Sequence, residues 1–302
     1  METVKPRHAY RWLYENRGEI SVAFICDLFQ LSRPGYYSWL KKKDAPDKNS
    51  PILSDLKEIR KKHRAYGVKR LHQALNKKRE KKKMPRVSYG RVYGICSVNG
   101  LLQKVKRPRG ITQQNRADQV SEDLIRRDFT ADHPNRKWLG DITEIACKNG
   151  KLYISGVFDC FDGAIVGLSM ENHKRASLCS SSLKEAVRRY GKDKDLIFHS
   201  DRGSQYTSRE YRQLLDGYNI RQSMGRTGNC YDNARMESFF ATLKKELIYR
   251  IPVTTLTREE VKRQIFRWVE CEYNRDRLYS ANENSMSPLE KRATYYSQQQ
   301  AA

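Results

Sequence analysis

Asp195-Leu196-Ile197-Phe198-His199-Ser200-Asp201-Arg202-Gly203-Ser204-Gln205-Tyr206 is the stretch on which the fold turns. Residues 195–199 form an apolar run too short for a helix, so they read as a buried strand that ends just before Asp201. A helix over 208–216, capped by Ser208, and a further short strand over 220–224 follow it. Upstream, 137–146, 151–160 and 164–170 are strand candidates, the last two joined by the hairpin turn Phe161-Asp162-Gly163. A helix over 176–190 ends at Gly191. Downstream, 225–231 is a glycine-containing loop, and Asp232 or Asn233 caps a helix to about Leu247. Three antiparallel strands followed by βαβα units predict an α/β fold: a mixed five-stranded sheet covered by helices.

Three acids sit at informative places in that plan. Asp141 lies on the first strand, in Lys137-Trp138-Leu139-Gly140-Asp141-Ile142-Thr143. Asp201 ends the fourth. Glu237 falls in the first turns of the later helix, in Asp232-Asn233-Ala234-Arg235-Met236-Glu237-Ser238, 36 positions after Asp201. Spacing alone says little, because Asp and Glu together number 35 in 302 residues. The contexts say more, since ligands gather at strand ends in such sheets. Three converging carboxylates can hold two divalent ions and drive in-line displacement at a phosphodiester. Hard oxygen ligands suit Mg²⁺ or Mn²⁺ rather than zinc. No G-x-x-x-x-G-K-[ST] loop occurs, so ATP is not implied.

The neighbours of these acids have two readings each. His199 shares the strand face of Asp201 and either orients a ligand or is a packed histidine. Lys244, seven residues after Glu237, lies on the same helical face and is either a phosphate contact or a solvated lysine. Asn233 reads as a helix cap, with a DNA contact as the lesser role. Asp159 and Asp162 flank the hairpin and read as turn formers.

Charge points to a polyanion. Lys and Arg number 59, for a net charge of +24. Between Lys57 and Arg109 the only acids are Glu58 and Glu80, a block more one-sided than a solvated face. Before it, helices over 21–29 and 32–42, joined at Gln30-Leu31-Ser32, outline a helix-turn-helix. Arg33, Tyr36, Tyr37 and Lys41 are its candidate DNA readers. Residues 44–51 read as a linker. Helices over 53–64, 68–77 and 88–98 form a second basic module carrying Lys69 and Arg70, with 77–84 an exposed loop. The expected organisation is a helical module at 1–50, a basic helical module at 51–103, a linker at 104–121 and a core with a helical extension at 122–302. Seven cysteines without a C-x-x-C pair argue against a disulfide framework or a zinc knuckle. The chain shows neither a signal peptide nor a membrane span, so a soluble, cytoplasmic protein is expected.

At these residues the chain resembles the OrfB-type transposases of bacterial insertion sequences, which share the RNase H-like catalytic core of retroviral integrases. The likeness rests on Glu15-Asn16-Arg17-Gly18, Ser32-Arg33-Pro34-Gly35-Tyr36-Tyr37-Ser38-Trp39-Leu40, Tyr66-Gly67-Val68-Lys69-Arg70-Leu71, Arg127-Asp128-Phe129, Pro134-Asn135-Arg136-Lys137-Trp138 and the motifs around Asp201 and Glu237. It implies that Asp141, Asp201 and Glu237 are catalytic ligands of two Mg²⁺ or Mn²⁺ ions, and that the reaction is DNA strand cleavage and strand transfer. It implies duplex DNA as partner, both terminal inverted repeats and target, a homo-oligomer on that DNA near the nucleoid, and an OrfA protein from an upstream frame. Two features depart from the pattern. The two-His, two-Cys zinc module of retroviral integrases is missing. In Tyr273-Asn274-Arg275-Asp276-Arg277-Leu278-Tyr279-Ser280, Tyr279 replaces a usual His, and Asn282 stands where Leu is common. No sustained heptads occur, as expected of the downstream product alone. A nuclease of the same fold that only hydrolyses, and a non-catalytic DNA-binding regulator, are the competing readings.

Overall fold

The computed structural model describes residues 6–16, 18, 21–43, 48–103, 121–225 and 233–301. The anticipated 225–231 loop beyond Gly225, Asp232, most of the 104–121 linker, residues 44–47 and Arg17 lie outside the described residues.

The first helices are α1 (Pro6–Glu15), α2 (Val22–Leu28) and α3 (Arg33–Lys42). Ser21 and Ser32 cap α2 and α3, each accepting from the backbone N–H three residues on. Tyr10, Leu13, Ile25, Cys26 and Tyr36 close a small core between them. The basic module is α4 (Ser50–Lys62), α5 (Val68–Lys81) and α6 (Tyr89–Val98). Two expectations fail here. Pro51 opens α4 instead of ending a linker, because its fixed φ suits a first helical turn. The charged stretch expected as a loop from Lys77 instead extends α5 by a turn, since Lys, Arg and Glu are good helix formers. Arg79 turns inward there, its Nε donating to Pro85 O at 2.7 Å. Asn76 fastens the returning strand-like segment, accepting from Val87 N–H at 2.8 Å and donating to Val87 O at 3.0 Å.

The sheet comprises β1 (Lys137–Cys147), β2 (Gly150–Asp159) and β3 (Ile165–Glu171); after α7 (Ala176–Tyr190) come β4 (Ile197–Ser200), α8 (Ser204–Thr207), α9 (Arg209–Gly217) and β5 (Arg221–Met224). Its order is β3-β2-β1-β4-β5. The β1–β2 and β2–β3 pairs are antiparallel; the β1–β4 and β4–β5 pairs are parallel. This is the RNase H-like topology, with the expected strands in the expected order.

Side-chain alternation gives the sheet two apolar faces. Trp138, Val157, Val166 and Phe198 pack with Cys179, Leu183 and Ala186 of α7 and Tyr211 and Leu215 of α9. Leu139, Ile145, Leu152 and Ile154 pack on the other side against Met236, Phe239, Phe240 and Leu243 of α10 (Ala234–Glu246) and Val261 and Ile265 of α11 (Arg258–Arg267). Phe239 meets Tyr273 edge-to-face at 4.9 Å, a geometry worth about 0.5–1.5 kcal/mol beyond burial. The chain closes with α12 (Pro288–Ala301).

The basic module is docked on the C-terminal part of the core. Tyr66 Oη accepts from Leu278 N–H at 3.0 Å and donates to Asp276 O at 3.4 Å. Leu278 is itself buried among the apolar residues of α4, α5 and α6. Ion pairs Lys62–Asp276, at 2.9 Å, and Lys77–Glu290, at 2.7 Å, flank that contact.

Candidate active site

The position of Asp141 follows from two periodicities. It is two residues beyond Leu139 on β1, so it faces α10. The parallel register pairs Gly140 with Ser200, which brings Asp201, the next residue after β4, beside Asp141. Gly140 is dictated by packing, because a Cβ there would collide with the Phe198 ring and come within 3.3 Å of Tyr206. Across β2, Gly156 lies opposite Asp141. A Cβ on Gly156 would stand 3.2 Å from Met236 Cε, so this glycine lets α10 lie close to the sheet.

The two aspartates each have a local anchor. Asp141 Oδ1 accepts from Ile142 N–H at 2.7 Å. Asp201 Oδ1 accepts from Gly203 N–H at 2.9 Å, shaping the turn into α8. A carboxylate has two oxygens and about four lone-pair sites, so one such bond leaves it able to bind a cation. Glu237 lies in the first turn of α10 and is largely exposed. Asn233 does not cap that helix. Its Nδ2 donates to Gly140 O at 3.0 Å instead, tying the start of α10 to β1 next to Asp141. The tether wins because Asn233 is buried against the sheet.

The electrostatics are those of unneutralised crowding. Desolvation pushes the Asp141 carboxyl up to about 7, the Asp201 charge adds to this, and Glu237 contributes further; Ile142 N–H and the Lys174 ammonium oppose the rise. Desolvation also raises Glu237 from its ordinary value. Among the described residues no three His, Cys, Asp or Glu side chains stand close enough together to form a finished metal cage. Asp141 couples to Asp201 more strongly than to Glu237. The donor set nevertheless fits a hard divalent cation: oxygen ligands whose mutual repulsion a cation would relieve.

The flanking residues divide. His199 is wholly buried at 1% exposure, with Nδ1 2.8 Å from Ser223 Oγ, so the packed reading describes it. Ser223 Oγ in turn accepts from Leu124 N–H at 2.9 Å. Lys244 is half-buried in the last turn of α10. Lys174, on the loop between β3 and α7, is a cation near Asp141 that the sequence did not single out. Gln205 holds that loop, its Nε2 donating to Lys174 O at 3.0 Å. The only hint in sequence was a basic Lys174-Arg175 pair ahead of a helix, which marks little.

Asp159 and Asp162 are more than turn formers. They do accept turn amides, from Phe161 and Ala164. Both are also fully buried and share Arg292 of α12, at 2.6 and 2.5 Å. The atypical C-terminal residues support the same corner. Tyr279 Oη accepts from Arg235 Nη1 at 3.0 Å, and Asn282 Nδ2 donates to Asp162 O at 2.8 Å.

The candidate DNA readers also divide. Tyr37, Lys41 and Lys69 are exposed. Arg33 is exposed but gives both its described bonds to Asp27, at 3.0 and 2.8 Å. Tyr36 cannot read bases from where it lies: it is 3% exposed and stacked on Trp39 at 6.1 Å. A small three-helix core needs aromatic volume, and Tyr36 supplies it. Arg70 is half-buried, 3.3 Å from Glu246 at the end of α10 and over the Tyr66 ring, so it braces the module on the core.

This sheet, with one acid within its central strand, a second just past the neighbouring strand and a third on the helix packed across that face, defines an integrase-type polynucleotidyl transferase core. The Integrase core domain family matches residues 131–230, and a second family of the same description matches 218–286. The transposase InsF of insertion sequence IS3A from Escherichia coli (strain K12) is 32% identical over 284 residues, covering 90% of this chain and 94% of its own. InsK of insertion sequence element IS150, from the same organism, is 32% identical over 268 residues, 88% of this chain and 92% of its own. The chain belongs to the OrfB-type transposases of the IS3 and IS150 insertion sequences, and its core is of the DDE type. Among solved structures, the HTLV-2 integrase catalytic core domain in complex with magnesium is 19% identical with a TM-score of 0.40, over 52% of this chain and 95% of that one. No helix among the described residues is long and apolar enough to cross a membrane.

Proposed function

We propose that Asp141, Asp201 and Glu237 together hold two divalent cations, Mg²⁺ or Mn²⁺, at which this transposase cuts and joins DNA. The observation that carries the reading is the Asp141 carboxyl: half-buried, pushed up by desolvation and by Asp201 and Glu237, and bonded only to a neighbouring amide. A fold spends stability on such crowding where a function requires it. When bound, the cations activate the attacking oxygen and stabilise the leaving one. The chain's own part is positional. The β1–β4 register sets two acids side by side, and the Asn233 tether fixes the helix that presents the third. In this reading Lys174, whose charge reaches Asp141, and Lys244 hold phosphates against them.

The substrate is duplex DNA, the terminal inverted repeats of the element and a target, handled by a homo-oligomer at the nucleoid, with an OrfA protein from an upstream frame as a further partner. Residues 1–50 and 51–103 act as DNA-binding modules through Tyr37, Lys41 and Lys69, and 122–302 as the catalytic core. Incubating the protein with a duplex carrying an element end and a target plasmid tests this. Metal-dependent cutting and joined products are expected, both lost in Glu237→Gln. Cutting without joining would leave a hydrolytic nuclease, and metal-independent cutting would sink the carboxylate mechanism.

A further inference from the structure

A concave groove of about 920 Å³ opens beside β5, away from the three acids. Its walls carry Lys194, Arg209, Arg212 and Arg221, with Asp216 as the sole acid. Arg209, Arg212, Gln213 and Asp216 follow helical spacing, so α9 turns one face to it. The four cations are exposed, and none enters an ion pair among the described residues. The arginines that brace the fold behave otherwise. Arg70, Arg136, Arg189, Arg277 and Arg292 all hold carboxylates. Asp193 and Asp195, close in sequence to Lys194, both pair with Arg136, at 3.2 and 3.0 Å. Unpaired cations gathered in a concavity, four against the one acid Asp216, form a site for an anion brought from outside.

We propose that this groove is a second DNA site that grips the phosphate backbone of the duplex being processed. The choice of DNA over an acidic protein rests on the transposase reading. Position supports it as well. Arg221 pairs with Ile197, whereas Asp201 follows the other end of β4. Measured along the strand, the groove and Asp201 lie about 13 Å apart, or roughly four nucleotides of a DNA strand. The amides of Gln213 and Asn219 in the walls can donate to phosphate oxygens without reading bases. The chain's own preceding segment is a poor occupant, because Lys104, Lys106, Arg107, Arg109 and Arg116 give it the same sign.

The test is the salt dependence of binding to a duplex carrying an element end, for wild type and for Arg209→Gln/Arg212→Gln/Arg221→Gln. Each lost phosphate contact lowers the log–log slope by about 0.9, so the triple variant is expected to fall by roughly 2–3. Arg209→Lys/Arg212→Lys/Arg221→Lys is expected to keep the wild-type slope. A benzophenone side chain replacing Gln213 in the otherwise native protein gives a second readout, independent of how the triple variant folds. It is expected to crosslink to DNA. An unchanged slope, or a crosslink to a second copy of the chain in place of DNA, overturns the proposal. The catalytic reading fails separately, through a wild-type protein that shows the slope loss on mutation yet cuts no DNA in metal.

Discussion

Two carboxylate clusters sit at two places on one sheet and have opposite surroundings. Asp159 and Asp162, at the β2–β3 turn, are wholly buried but served: Arg292 pairs with both, Trp138 Nε1 and Asn135 N–H donate to Asp159, and turn amides complete the set. Even so, desolvation, and then the Asp159 charge, raise the Asp162 carboxyl, while Arg292 opposes the rise. Asp141, Asp201 and Glu237 hold no arginine in any ion pair among the described residues, and desolvation, with the Asp201 charge, pushes Asp141 up to about 7. The acids of the β2–β3 turn come with their cation built in; those of the proposed site leave the cation to be supplied.

The comparison breaks first at catalysis. Asp141→Asn, Asp201→Asn and Glu237→Gln are each expected to lower strand cleavage by at least about 10³-fold, since metal-centred charge stabilisation is worth several kcal/mol. Folding and DNA affinity are expected to persist. Single-turnover cleavage in Mg²⁺ decides, and near-native turnover by any one variant removes that residue from the site.

The served cluster is tested by taking its cation away. Arg292→Ala leaves two buried acids without their guanidinium, and loss of one partner of a buried pair costs about 3–5 kcal/mol. Urea unfolding measures it. A loss below about 1 kcal/mol, the value of a surface pair, would mean that the corner is wetter than its burial implies.

A third difference shows in pH. In chelator, native Asp141 keeps its proton to about 7, whereas the unfolded carboxyl releases it near its ordinary value of 3.8. The native state therefore binds more protons across that window. Its stability falls as pH rises from about 4 to 7, and the loss is complete above the native value. Asp141→Asn is expected to flatten this part of the profile and to leave a metal-free protein more stable than wild type at neutral pH. Identical profiles for the two proteins would show that Asp141 is not crowded.

The same contrast explains what could be read from sequence. Strand order, the three acids and the caps at Ser32 and Ser208 are local or periodic features, and the sequence displays them. The misread residues depend on distant partners. Asp162 meets Arg292 from 130 positions away, and Arg70 meets Glu246 from 176. Tyr36 has the spacing of a DNA-facing residue and lies in a core whose other walls come from α1 and α2. No local pattern distinguishes an arginine that braces a fold from one that grips a phosphate; only its partners do.

The smallest expected effect asks whether the three acids of the proposed site have any cation of their own. Lys244 is seven residues past Glu237, two turns along α10, and returns to within roughly 20° of the same face. It is half-buried, and a long lysine side chain can run along the helix while its ammonium stays in water. If it holds the scissile strand, its contribution is greatest where positioning matters most, in the transition state. Lys244→Ala is then expected to slow single-turnover cleavage by about 10-fold at saturating DNA, the loss of roughly one good contact. Total affinity is expected to change little, because 59 basic residues share the electrostatic attraction. Lys245, about 100° round the helix and fully exposed, is the internal control, and Lys245→Ala is expected to match wild type. Equal rates for the two alanine variants would make Lys244 a solvated lysine, and the catalytic cluster would then depend on added metal and Lys174 alone for its positive charge.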